Sequence, residues 1–190
     1  MKNFTSKQLA QTALLLALCI ISQYFKNLSV YITGPIVNAI LVIATLAVGL
    51  TSGIIISIIA PITAFFFTGS PLMAAVPAMF PIIMVSNCIL VFLTYYFQKK
   101  LAFKFHLEAG LIIGSIVKAI FLGITVVWII LPNFSDQIAS KLPKPEALPK
   151  FLATAKITFS VTQLITALIG CLLAWLIWLR LKTMINKENI

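Results

Sequence analysis

Polar residues interrupt long apolar runs at only a few places along this chain, and those interruptions predict its elements. The first run, residues 9–25 (LAQTALLLALCIISQYF), is long enough to cross a bilayer, which takes about 20 apolar residues in a helix. A short polar loop, 26–34, follows. No residue between Ile36 and Phe67 is charged. As one straight helix that stretch would be about 48 Å long at 1.5 Å per residue, against a hydrocarbon core of roughly 30 Å. It must fold back, and Gly49-Leu50-Thr51-Ser52-Gly53 is the place to do so. This gives a second span over 31–49 and a third over 52–67, joined by a tight turn. Pro71, Pro77 and Pro81 then predict a structured loop dipping toward a cavity, since irregular backbone survives in a membrane only where protein or water surrounds it. A fourth span is predicted over 78–97 and a fifth over 107–131. The stretch 132–154, with Pro143, Pro145 and Pro149, reads as a loop with one or two helical turns near 136–142. A sixth span covers 156–179.

The pattern predicts an all-α integral membrane protein, residues 1–190 forming one domain of six transmembrane helices in a single bundle. Composition agrees: 61% of the 190 residues are apolar, 9% are charged and the mean hydropathy is +1.10, where a soluble domain carries roughly a quarter charged residues. A net charge of +10 would suggest nucleic acid in a soluble protein, but here the bases lie between apolar runs and no nucleic-acid motif accompanies them. Lys2, Lys7, Lys99, Lys100, Lys104, Arg180, Lys182 and Lys187 fall on one side of a six-span chain, and Lys26, Lys141, Lys144, Lys150 and Lys156 on the other. The larger group places both termini in the cytoplasm. Cys19, Cys88 and Cys171 lack metal-ligand spacing and read as small buried residues.

Enzymatic chemistry has little to stand on. There is no phosphate-binding loop of the G-x-x-x-x-G-K-[ST] type, the single histidine, His106, sits in a polar loop, and no acid lies in the interior of a span, Glu108 being at the end of the fifth. The chain is expected to be no enzyme and to need no cofactor or metal. Absent intramembrane acids also argue against a proton-driven pump.

One ionisable residue does lie within a span. Lys118 is near the middle of the fifth, where a lysine costs about 2.5–3.5 kcal/mol on insertion scales. Either it faces an internal cavity and pairs with a bound anion, or it is deprotonated or bonded to carbonyls. Asn38, Ser86, Asn87, Thr162 and Gln163 are further polar residues in spans, able to line the same cavity or to join helices. Tyr31, Trp128 and Lys156 belong near the outer interface. The small-residue pairs Ala13/Ala17, Gly110/Gly114 and Gly170/Ala174 allow close helix approach.

Taken together, Ala13-Leu14-Leu15-Leu16-Ala17, Tyr31-Ile32-Thr33-Gly34-Pro35 leading into Val37-Asn38-Ala39, the Gly49–Gly53 turn and the long loop before the last span resemble the substrate-binding S components of energy-coupling factor (ECF) transporters. The resemblance implies a subunit of the bacterial plasma membrane that binds a vitamin or related micronutrient in the outer half of the bundle. It implies docking through Ala13 and Ala17 onto a transmembrane coupling protein, with two ABC-type ATPases supplying energy. Lys118, Asn87, Asn38, Gln163, Ser86, Tyr31 and Lys156 are then the expected substrate contacts. Lys118 makes an anionic substrate attractive, pantothenate first. The competing readings are a self-sufficient secondary transporter or channel, and a membrane scaffold in which Lys118 and the amides pair with each other and leave no cavity.

Overall fold

The computed structural model describes residues 4–24, 30–102 and 104–188. These residues form eight helices and no strand. α1 is Ser6–Tyr24, α2 Val30–Val48, α3 Leu50–Thr68, α4 Pro71–Ala75, α5 Met79–Lys100, α6 His106–Asn133 and α7 Ser135–Lys141. α8 begins at Leu148, spans Leu148–Met184 and continues to Glu188. Five of these, α2, α3, α5, α6 and α8, are long and apolar enough to cross a membrane. α1 matches α3 in length, 19 residues, but carries Lys7, Gln8, Gln11 and Gln23 and is less apolar.

Local chemistry explains where the helices start and stop. Thr5 and Gln8 bond reciprocally at the start of α1: the Gln8 N–H donates to Thr5 Oγ1 at 3.2 Å, and the Thr5 N–H to Gln8 Oε1 at 3.0 Å. This is a capping box that satisfies two end groups. The fold-back expected between residues 49 and 53 takes only one residue. Gly49 adopts φ 136°, ψ 173°, a conformation restricted to glycine, and α3 starts at the next position.

Two predicted loops are more helical than expected. The second span, predicted from residue 31, starts at Val30, and residues 25–29 of the first loop lie outside the described residues. The proline-rich dip after α3 is α4 and a short turn before α5. The long loop before the last span holds α7 and a 3-10 turn, Pro145–Ala147, and α8 opens at Leu148. The reason is positional. Pro71 and Pro149 fall in the first turn of α4 and α8, where a missing N–H has no helical partner to lose. Pro132 follows a π-helical stretch, Gly123–Ile130, and the helix passes through it to Asn133.

The six long helices close into a ring in the order α1, α2, α8, α6, α5, α3 and back to α1. α2 also touches α3 and α5 across the ring. It is the most enclosed span, 56% buried against 28% for α5 and α8. Gly170 lets α2 approach α8. A Cβ there would lie 2.5 Å from the Pro35 carbonyl oxygen and 2.6 Å from Asn38 Cβ. On the next seam, Gly110 and Gly114 face Phe97 and Leu90 of α5. Two of the three predicted small-residue pairs therefore lie at helix contacts. An apolar cluster of Leu72, Met79, Leu122, Val126, Leu131 and Ile138 fills one end of the molecule beneath α4 and α7. The other end, where α1 begins and α8 finishes, is fastened by Gln8 Nε2 donating to the Val48 carbonyl at 3.2 Å and Thr12 Oγ1 to Ser52 Oγ at 2.9 Å.

Candidate functional site

Lys118 lies on the buried stripe of α6 with Gly110, Leu111, Gly114, Ser115, Ala119 and Leu122, positions recurring at three- and four-residue intervals. Its side chain therefore enters the ring, not the lipid. Asn87 occupies the buried stripe of α5, and Asn38 that of α2. The three meet. Lys118 Nζ donates to Asn38 Oδ1 at 2.5 Å and to Asn87 Oδ1 at 2.8 Å, and Asn38 Nδ2 donates to the Gly34 carbonyl at 3.0 Å. All three residues are at most 5% exposed.

This cluster forms part of the wall of a cavity of about 120 Å³. Every long helix contributes to the lining: Gln23 from α1, Thr33 and Asn38 from α2, Pro61 from α3, Asn87 from α5, Lys118 from α6, Gln163 and Thr166 from α8. Among the described residues, none of those that line it is aromatic. A polar latch closes the α1–α3 side: Thr63 Oγ1 donates to Gln23 Oε1 at 2.6 Å, and Gln23 Nε2 to the Ala60 carbonyl at 3.0 Å.

The electrostatics are one-sided. An ammonium group has three N–H donors, two of which reach amide oxygens. Among the described residues no carboxylate lies within ion-pair distance of Lys118. Amide dipoles solvate a cation without neutralising it, so the cavity keeps a positive field that low local polarity strengthens. Pairing of lysine with amides was the expectation of the scaffold reading, but that reading also required the cavity to vanish, and it is there.

Of the residues singled out from sequence, Lys118, Asn87, Asn38 and Gln163 come together at the cavity. Ser86 is fully buried but donates to the Ile83 carbonyl of its own helix at 2.8 Å. The Tyr31 hydroxyl is 3.5 Å from Thr162 Oγ1 and its ring is largely exposed. Lys156 is exposed on α8, where its carbonyl accepts from Ser160 Oγ at 2.5 Å. These three are not part of the lining. Ala13 and Ala17 are both exposed on α1, in an apolar stripe with Leu14, Leu18 and Ile21. Gln23, Thr33 and Thr166 line the cavity without having been singled out. Thr166 was within reach of the sequence, because it follows Gln163 by three residues and shares its helix face. Gln23 ends an apolar run, where a polar residue draws no notice.

Searches of curated proteins and of solved structures returned no significant match. The model of one family, described as the substrate-specific component of the ECF transporter, matches residues 7–181, from the start of α1 to the end of the last span. With a match over nearly its full length, on a helical bundle that encloses a polar cavity, the chain belongs to the family of ECF transporter substrate-specific components.

Proposed function

We propose that the substrate is a small, aliphatic, anionic micronutrient whose carboxylate or phosphate is bound by Lys118. Family membership makes the chain a multi-pass membrane protein and the substrate-binding subunit of an ECF importer, associated with a transmembrane coupling component and ATPases; it is not an enzyme. The finer reading rests on one observation. Lys118 is buried at a cavity wall with two amide partners and no acid, and an acidic ligand supplies the missing counter-charge. The lining adds a second restriction. Among the described residues the lining offers aliphatic side chains, Val30, Val37, Ala64 and Ile83, and no aromatic face to stack on, which suits an aliphatic body. Pantothenate, with a carboxylate and a branched aliphatic chain, is the first candidate.

In this reading α1 crosses the membrane as a sixth span and both termini are cytoplasmic. The cavity, lined by the end of α1, the start of α2 and the end of α3, then lies in the outer half of the bundle. The exposed Ala13–Ala17 stripe is the docking face for the coupling component.

Binding of labelled pantothenate to the purified protein and to Lys118→Ala tests the assignment. Wild type should bind, and the variant should lose roughly 30-fold or more in affinity, as when one partner of a buried charged pair is truncated. Failure of both to bind pantothenate, with tight binding of an uncharged vitamin, would overturn it.

A further inference from the structure

We infer that the seam between α6 and α8, at the end where the chain terminates, is a binding site for one anionic phospholipid. Leu111 and Ile112 of α6 face Leu168, Leu172 and Trp175 of α8 across a groove of about 220 Å³. Its residues recur at three-, four- and seven-residue spacing, so the groove runs along the helix axes. Ile112, Leu168 and Leu172 are exposed, which leaves the groove open on the face turned to the lipid. One hydrocarbon chain lying along the axes fits this shape and chemistry.

The polar end of the groove favours an anionic headgroup. Its one acid, Glu108, accepts from the Trp175 indole Nε1–H at 3.1 Å, and the two side chains mark the end of the apolar wall. Beyond them the helix faces continue into cations. Lys182 follows Trp175 by seven residues, two helical turns along the same face of α8, and Lys104 lies in the turn that leads into α6, four residues before Glu108. Both are exposed. Lys104 and Lys182 thus lie beyond the one carboxylate, which is already bonded to an indole. A lipid whose tail occupies the groove places its phosphate near them. In the ring, α6 is opposite α1, so a lipid held here leaves the exposed α1 stripe uncovered.

Native mass spectrometry of the delipidated full-length protein in detergent, with added phosphatidylglycerol or phosphatidylcholine of matched chains, tests this. Wild type should retain one phosphatidylglycerol in roughly twentyfold preference over phosphatidylcholine. Lys104→Gln/Lys182→Gln should bring the two lipids within about twofold. Leu172→Trp, which fills the groove and leaves every cation in place, should lose the retained phosphatidylglycerol while still eluting as a single folded species. Equal retention of both lipids by wild type, as expected if the groove takes a protein helix, would refute the site. So would an unchanged preference in the lysine variant, or undiminished retention in Leu172→Trp.

Discussion

The lysine–asparagine cluster makes a sharp stability prediction at the level of single residues. Asn87→Leu removes one of the two amide oxygens that solvate the Lys118 ammonium. Losing one hydrogen bond to a buried charged group costs about 1.5–3 kcal/mol, because the ammonium keeps its charge with one amide fewer to solvate it. Adding Lys118→Met removes the stranded charge itself, and replacing both polar partners by apolar groups of similar shape is close to neutral. The double variant should therefore unfold at a higher temperature than Asn87→Leu, though it binds no anion. A thermal denaturation series in detergent reads this directly, and a double variant less stable than the single one would show that Asn87 does not act through Lys118. The sequence marked these residues only as polar groups inside apolar runs. It could not show that they meet, because the rotation of one span relative to its neighbours depends on packing between runs. For the same reason Ser86 could not be told from Asn38. Polarity was visible in the sequence, but direction was not.

Among the elements, the spans themselves were the most legible feature, because an uninterrupted apolar run has few other solutions in water or lipid. Gly49 was legible as part of a fold-back, since the run was too long for one crossing. The proline-bearing segments were misjudged because proline breaks a helix interior and starts a helix equally well; only the register of Pro71 and Pro149 decides between these outcomes. Two substitutions test the elements. Gly49→Ala introduces a side chain where φ is 136°, and should cost about 1–3 kcal/mol from backbone strain alone, since a Cβ there meets nothing within 4 Å. Gly170→Leu should cost at least as much by overpacking and should also weaken substrate binding, because α2, which it pushes away, carries Asn38 into the cavity. Ligand affinity measured beside thermal stability separates the two: loss of stability in both variants, but a larger loss of affinity in Gly170→Leu. Equal effects on affinity would show that the α2–α8 contact does not set the cavity's geometry.

For the whole molecule, the division of labour between this chain and its partners is a matter of which surfaces remain free. α1 is bonded inward through Thr12 and Gln23 and presents Leu9, Ala13, Leu14, Ala17, Leu18 and Ile21 outward. Ala13→Trp/Ala17→Trp should leave substrate affinity of the isolated protein within about twofold and abolish uptake by the assembled importer, since two bulky rings on this stripe keep another helix from approaching closely. Uptake assays in cells, run beside binding assays on the purified chain, would show it; undiminished uptake would place the docking face elsewhere.

The cavity wall drawn from all six long helices has a consequence for how the substrate can be found. A ligand that touches every member of a closed ring acts as a keystone: no helix can leave the bundle without giving up part of its hold on the guest. Binding is then coupled to global unfolding, and not to the movement of one loop. Since a ligand bound only by the folded state stabilises it by about 4 kcal/mol at a thousandfold excess over its dissociation constant, the melting curve of the isolated subunit becomes a reporter for the cargo. A panel of small carboxylates and phosphates can be ranked by melting shift with no transport partner, no nucleotide and no radiolabel present. The true substrate should stand apart from the rest, and Lys118→Met should flatten the ranking.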